Sequence, residues 1–261
     1  MSKAKVLVLK SPGTNCDVET AFAFEQQGTQ VEKLHVNNLI KNPAKIGEFQ
    51  ILAVPGGFSF GDDIASGKVL ANKLSFSLEE QMKNFIEEDK LVLGICNGFQ
   101  VLVKARLLPG FEAIDLTQQA TLTYNDSGKF EDRWVRLKKV SDNCIFTKGI
   151  DFLDVPIRHG EGKFVSGQRA LAKLKENNQI AFKYVGEKNE ENPAYPFNPN
   201  GSVDGIAGIC NIQGNVLGLM PHPEAFLFAH NHPRFLRKEA TQGAGAKIFE
   251  NAARFAEEAL V

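Results

Sequence analysis

The feature of the sequence that most constrains the fold is a regular alternation of short apolar runs with helix-like segments. Runs rich in Val, Leu and Ile predict strands at residues 5–9, 29–34, 49–54 and 91–95. The spacing of apolar side chains predicts helices at residues 15–28, about 65–88 and 97–105. Apolar strands separated by helices favour a parallel sheet that is covered on both faces.

The second half of the chain has a different pattern. Residues 134–140 alternate between apolar and polar side chains, which is typical of a half-exposed antiparallel strand, and further strands are predicted at residues 180–184, 206–209 and 216–219. An amphipathic helix is predicted near the end, at residues 245–260. We therefore expect one domain over residues 1–261, with an α/β fold: an open, mostly parallel twisted sheet flanked by helices and carrying an antiparallel extension.

Charge and cysteine content exclude several classes of function. The 261 residues carry a formal net charge of -1 and form no basic stripe, so we expect no nucleic-acid partner. No apolar stretch is long enough to span a bilayer, and the N-terminus lacks a signal-peptide pattern, so we expect a cytoplasmic protein without a membrane partner. The four cysteines show no C-x-x-C spacing, so we expect free thiols and no metal site.

The strongest local motif is Gly94-Ile95-Cys96-Asn97-Gly98, between a predicted buried strand and a predicted helix. A sharp strand-to-helix turn would lift Cys96 out of the sheet, as in a nucleophile elbow. The helix N-terminus behind it would favour the reactive thiolate and offer free N–H groups to an oxyanion. A small buried cysteine at a tight turn explains this motif alone equally well.

A second motif, His222-Pro223-Glu224, follows the predicted strand 216–219. A nucleophilic thiol needs a base and the base needs an orienting group, and His222 and Glu224 fit these two roles. Taken alone, the motif is more typical of a surface turn. The elbow and the histidine both follow strands, however, and ligands of open α/β sheets bind beyond the carboxyl ends of the strands.

A third motif, Gly56-Gly57, also follows a strand. Adjacent glycines allow the backbone to approach a ligand closely and to aim N–H groups at it. On its own this signal is weak, because many strand-to-helix loops contain glycine.

Together these motifs resemble those of the class I (triad-type) glutamine amidotransferases, which have a flavodoxin-like fold. The resemblance extends over almost the whole chain and is most specific to the glutaminase subunits of phosphoribosylformylglycinamidine synthases. The segments that carry it lie at residues 12–17, 55–62, 94–100, 128–135, 159–162, 198–202 and 222–224.

The resemblance implies a role for each motif. Cys96 would attack the glutamine side-chain amide, His222 would transfer the proton, and Glu224 would hold His222. Further residues, implied to bind the oxyanion or the substrate L-glutamine, are Gly56, Gly57, Asn97, Gln100, His159 and Gly160.

The resemblance also implies a partner. Ammonia would pass to a synthetase subunit that converts formylglycinamide ribonucleotide (FGAR) to formylglycinamidine ribonucleotide (FGAM) in purine biosynthesis, with a third small bridging subunit left open. ATP and Mg²⁺ are expected on the synthetase, and no cofactor on this chain, which lacks the phosphate-loop motif G-x-x-x-x-G-K-[ST].

Alternatives remain at this point. The chain could serve another synthetase, could be a non-catalytic regulatory subunit, or could be a peptidase-like relative that shares the elbow. Cys16 is expected to have a structural role at a helix start. Within residues 225–243, the stretch 230–238 is longer than in the shortest family members, and we hypothesise that it faces the partner.

Overall fold

The computed structural model describes residues 3–111, 118–237 and 242–261, which form eleven strands and seven α-helices. The strands are β1 (Lys5–Lys10), β2 (Gln30–His35), β3 (Ile51–Val54), β4 (Leu91–Ile95), β5 (Ala120–Thr123), β6 (Glu131–Lys139), β7 (Phe152–His159), β8 (Lys163–Ser166), β9 (Ile180–Val185), β10 (Ile206–Cys210) and β11 (Val216–Leu219). The helices are α1 (Asp17–Glu25), α2 (Val36–Lys41), α3 (Lys68–Ser77), α4 (Glu79–Glu87), α5 (Asn97–Lys104), α6 (Gln168–Glu176) and α7 (Ala246–Ala259).

Nine strands form one sheet in the order β2-β1-β3-β4-β11-β10-β9-β6-β7. The first five strands of this order run parallel to their neighbours, and the last four pair antiparallel. The parallel half has the order of a flavodoxin-like sheet. The predicted parallel sheet with an antiparallel extension is therefore confirmed.

Both faces of the central strands are covered. Every residue of β3, β4 and β11 is buried, and successive side chains of a strand point to opposite faces. α1 contacts α7, where the rings of Phe24 and Phe249 meet edge to face with centroids 5.0 Å apart, and α3 contacts α5. No helix in the described ranges is both long enough and apolar enough to cross a bilayer.

Several elements differ from the sequence-based expectation, and β5, β7, β8, α2 and α6 were not predicted. The helix expected at about 65–88 is divided into α3 and α4, because Leu78 between them has a non-helical φ of -135° and is fully buried. Strand β7 was not predicted, since Pro156 interrupts its pattern. Proline has no N–H to donate to a neighbouring strand, so it is rarely found in interior strands. β7 is the edge strand of the sheet and tolerates it.

Candidate active site

The predicted site residues follow three strands that are neighbours in the sheet. Gly56 follows β3, Cys96 follows β4, and His222 follows β11, and these strands run parallel in the order β3-β4-β11. Their carboxyl ends therefore lie side by side, and the topology brings together three motifs that are far apart in the sequence.

Cys96 occupies the strained turn that the elbow motif predicts. Its backbone has φ 52° and ψ -106°, in the left-handed region that most residues avoid. Gly98 makes the turn possible, because a Cβ at this position would lie 1.8 Å from the Val54 carbonyl oxygen. As the first residue of α5, Asn97 has an N–H that no carbonyl within the helix can accept.

His222 and Glu224 form a buried pair beside this turn. The Nδ1 atom of His222 lies 2.6 Å from Oε1 of Glu224, and each side chain is 2% exposed. Burial alone would lower the pKa of His222, but the charges of Glu224 and Cys96 oppose it and raise this pKa well above its usual value. His222 Nε2 is buried and has no hydrogen-bond partner among the described residues. A thiol, an imidazole and a carboxylate arranged in this way can perform nucleophilic acyl transfer.

Gly56 is enclosed by the reactive side chains. A Cβ on Gly56 would lie 2.9 Å from Cε1 of His222, 3.3 Å from Sγ of Cys16 and 3.4 Å from Cβ of Cys96. Only a residue without a side chain leaves room for these three groups. The structure therefore places Gly56 in close contact with the imidazole of His222.

Cys16 lies in the site, which was not expected from the sequence. It is the N-cap residue of α1, at the helix start where the sequence placed it, but its side chain accepts no capping hydrogen bond. Its Sγ, a ring nitrogen of His222 and a carboxylate oxygen of Glu224 lie within 4.8 Å of one another. The signal that could have placed Cys16 in the site is that it follows strand β1, which lies next to β3 in the sheet.

The loop that contains Gly56 and Gly57 is held by the loop before α1. The N–H groups of Asn15 and Cys16 both donate to the Gly56 carbonyl, at 3.3 Å and 3.2 Å, and Phe58 N–H donates to the Gly13 carbonyl at 2.8 Å. Gly57 has φ 138°, and a Cβ there would lie 2.7 Å from the Asn15 nitrogen. This backbone is therefore fixed close to Cys96 before any ligand binds.

Gln100 lies one turn of α5 beyond Cys96 and joins two loops. Its Oε1 accepts a hydrogen bond from Asn97 Nδ2 at 2.9 Å, and its Nε2 donates to the Glu161 carbonyl at 2.6 Å. Asn97 Nδ2 also donates to Asp62 Oδ1 at 3.0 Å, and Asn97 Oδ1 accepts from Ser59 N–H at 3.1 Å. The network ties the segments around residues 59–62 and 161 to the elbow.

His159 is buried and neutral at the end of β7. Burial, and the positive charge of His222, lower its pKa to about 3. Asn125 Nδ2 donates to the carbonyls of Lys129 and His159, so its Oδ1 is the acceptor for Gly162 N–H and for His159 Nδ1, 3.1 Å away. Nε2 of His159 is therefore an acceptor, and it is buried without a partner among the described residues.

Other predicted residues lie around or away from this centre. The Gly160 carbonyl accepts from Asn125 N–H at 2.9 Å, in the loop next to His159. Cys144 and Cys210 are fully buried. In the segment 230–238, His232 packs on the Trp134 ring with centroids 4.4 Å apart, and Lys238 lies outside the described residues.

The chain matches a known family over nearly its whole length. Residues 3–256 match the family described as CobB/CobQ-like glutamine amidotransferase domain. The chain is 45% identical to phosphoribosylformylglycinamidine synthase subunit PurQ of Dehalococcoides mccartyi over 261 residues, which cover 98% of this chain and 99% of the relative. It is 43% identical to the subunit of the same name from Methanococcus maripaludis, with 94% and 91% covered.

Among solved structures, the chain is similar to one chain of the PurLQS structure from Thermotoga maritima. The TM-score is 0.73 at 29% sequence identity, and the match covers 97% of this chain and 99% of the other.

Proposed function

The chain belongs to the family of CobB/CobQ-like glutamine amidotransferase domains, and from this premise we propose that it is the glutaminase subunit of a phosphoribosylformylglycinamidine synthase. It is a glutamine amidotransferase that releases ammonia from glutamine for a synthetase subunit. The relatives that carry the name of this enzyme match the chain over nearly their entire length, which supports this synthetase over another.

The observation that carries the proposal is the His222–Glu224 pair beside Cys96. The Cys96 sulfur attacks the carbon of the glutamine side-chain amide. His222 takes the thiol proton and delivers it to the nitrogen that leaves as ammonia. Glu224 fixes the ring through Nδ1, 2.6 Å away, so that Nε2 faces the reacting atoms.

Charge develops on the amide oxygen during this attack. The N–H groups of Asn97 and Gly57 are proposed to hold this oxyanion, because Asn97 begins α5 and Gly57 is fixed by the loop of residues 13–16. Water then hydrolyses the γ-glutamyl thioester, with His222 as the base, and glutamate leaves. Preformed donors need no rearrangement at the moment of reaction.

The glutamine itself is proposed to bind between α5 and the loop after β7. His159 offers a buried acceptor at Nε2, and Gly160 lies next to it in the same loop. Gln100 orders this loop through the Glu161 carbonyl and keeps one amide hydrogen for the substrate. A neutral His159 suits this place, because an imidazolium there would repel His222.

The partner supplies the rest of the reaction. The synthetase subunit is proposed to bind ATP, Mg²⁺ and FGAR and to use the ammonia to form FGAM, with a third small subunit bridging the two. The similarity of this chain to one chain of the PurLQS structure supports an assembly with other subunits. Ammonia loses its nucleophilicity when water protonates it, so a closed passage between the subunits is expected.

The test is reconstitution with the synthetase, FGAR, ATP and Mg²⁺. The wild-type chain should release glutamate from glutamine and support FGAM synthesis. Cys96→Ala should release no glutamate, yet its complex should still make FGAM from added ammonia, because the synthetase site is intact.

Cys144→Ala is the matched control, since Cys144 is fully buried and lies outside the site. It should retain both reactions. Absence of glutamate release by the wild-type complex, or equal release by Cys96→Ala, would contradict the proposal.

A further inference from the structure

The proposed reaction leaves one reactive group of the site without a role: the thiol of Cys16. Its Sγ lies 3.3 Å from the position that a Cβ on Gly56 would occupy, and Cβ of Cys96 lies 3.4 Å from the same position. Sγ of Cys16 and Cβ of Cys96 therefore both border a space that a single methyl group would fill. The Cys96 thiol itself donates to the Arg158 carbonyl, 3.6 Å away, so Cys96 must rotate about its Cα–Cβ bond to bring its sulfur to Cys16. His222 borders this space as well, with Cε1 2.9 Å from the same point.

The surroundings distinguish this pair from the other cysteines of the chain. Cys16 is partly exposed and Cys96 is 6% exposed, so a small solute that enters the glutamine site can reach them. Cys144 and Cys210 have no exposed surface. Since reactivity of a thiol follows access and the availability of a base, oxidation should begin at the site.

The two thiols are also unequal. Burial raises the pKa of Cys16, although contact with His222 opposes this effect. The Cys16 thiol donates to Oδ1 of Asn15, 3.4 Å away, and is therefore protonated at rest. Cys96, held at the elbow as the nucleophile, is the sulfur that should meet an oxidant first.

We propose that Cys16 and Cys96 form a reversible disulfide when a hydroperoxide enters the site, which stops glutamine hydrolysis and protects Cys96 from irreversible oxidation. The loss of activity rests on the proposed function, whereas the bond itself does not. Formation of the disulfide would stop the release of ammonia under oxidative conditions, and its reduction by cellular thiols would restore that release.

The chemistry balances with hydrogen peroxide as the only oxidant. The Cys96 sulfur attacks one peroxide oxygen, the O–O bond breaks, and the hydroxide that leaves takes a proton to become water. Cys16 then attacks the sulfenic sulfur, the S–O bond breaks, and the proton of Cys16 passes by way of His222 to the second hydroxide. Two thiols and one peroxide give one disulfide and two waters, with two electrons transferred.

The first experiment is peptide mapping of the isolated chain after treatment with a few equivalents of hydrogen peroxide. Free thiols are blocked, the chain is digested with trypsin without reductant, and linked peptides are identified by mass spectrometry. We expect residues 11–33 joined to residues 91–104, with the link lost on treatment with dithiothreitol. Cys16→Ser should lack the link and accumulate sulfinic acid on Cys96, whereas Cys144→Ala should retain it.

The second experiment measures glutaminase activity in the complex with the synthetase, each variant relative to its own untreated sample. After peroxide treatment, dithiothreitol should restore most of the activity of the wild type and of Cys144→Ala. The fraction of activity that Cys16→Ser recovers should be several-fold smaller. A wild-type chain that shows sulfinic acid and no linked peptide would overturn the proposal, as would equal recovery by Cys16→Ser. If the untreated complex has no glutaminase activity, the proposed function fails, and the peptide map still decides whether the disulfide forms.

Discussion

The Nδ1 atom of His222 lies 2.6 Å from Oε1 of Glu224, and both side chains are removed from solvent. A charged pair in such a place survives only if each partner compensates the other for lost hydration. The charge of Glu224 therefore works against burial, which would otherwise keep His222 neutral, and the pKa of His222 is raised. The pair thus sets both the orientation of the ring and its capacity to hold a proton.

Replacing Glu224 by Gln should separate the effect of the negative charge of Glu224 from the effect of its packing, because the amide has nearly the shape of the carboxylate. We expect the glutaminase kcat to fall about 100- to 10,000-fold, the range in which an oriented general base contributes. The pKa of His222 should also fall, since burial would no longer be opposed by a negative charge. Steady-state kinetics of the complex and NMR titration of the imidazole measure the two quantities.

Glu250→Gln is the matched control for this variant. Glu250 lies on α7 and pairs with Lys247 at the surface, so its loss should change neither kcat nor the pKa of His222. An unchanged kcat in Glu224→Gln would show that the pair has only a structural role.

Gly56→Ala should affect activity more than stability. The new methyl group would lie 2.9 Å from Cε1 of His222, so the ring or the loop must move. Misplacing a catalytic group by an ångström typically costs about 100-fold in rate, and we expect a loss of kcat of this size. Gly167→Ala is the control, because a Cβ at Gly167 meets nothing within 4 Å. Equal kinetics of the two variants would contradict this role of Gly56.

The site shows why some residues could be predicted from the sequence and one could not. Cys96, His222 and Gly56 stand in short motifs at strand ends, and the chemistry of each motif suggested its partners. Cys16 lies in the segment 12–17, to which no chemistry could be assigned from the sequence. Its place beside His222 depends on β1 being the neighbour of β3 and on a loop bound to the Gly56 carbonyl, and these are long-range relationships.

The secondary-structure elements also differ in whether they could be predicted from the sequence. The parallel strands were predictable because each is a continuous apolar run, which burial on both faces requires. β7 was not, because its Pro156 is acceptable only at the edge of the sheet, and edge position is a property of the topology. The break between α3 and α4 likewise depends on the burial of Leu78 by other elements.

Gly98→Ala should be severely destabilising. A Cβ there would lie 1.8 Å from the Val54 carbonyl oxygen, and neither backbone can move without displacing β3 or α5. Overpacking of a core typically costs 1–3 kcal/mol, and with backbone on both sides we expect a loss of about 3 kcal/mol or more in the free energy of unfolding by urea. Gly47→Ala, where a Cβ meets nothing within 4 Å, should cost less than about 1 kcal/mol. Similar losses in both variants would refute the steric argument.

His159 makes the stability of the protein depend on pH in a defined direction. Its pKa in the folded chain is about 3, lowered by burial and by the charge of His222, whereas the usual value is 6.5. Above about pH 6.5 both states of the chain carry a neutral imidazole at this position. As the pH falls further, the unfolded chain binds a proton that the folded chain does not, so stability is lost progressively until about pH 3.

His159→Asn should remove this dependence, because an asparagine amide can donate to Asn125 in place of Nδ1 and does not titrate. The variant should be less stable near neutral pH, since the ring leaves a cavity, but its free energy of unfolding should fall less steeply with acid. The difference in slope should be about 1.4 kcal/mol per pH unit below about pH 6, the free energy of one pKa unit. Urea unfolding of both proteins between about pH 6.5 and pH 4.5 measures it.

His230→Asn, at an exposed histidine, should keep the wild-type slope. Parallel curves for the wild type and His159→Asn would show that His159 takes up its proton in the folded chain as readily as in the unfolded one, and that it is not the neutral acceptor proposed for glutamine.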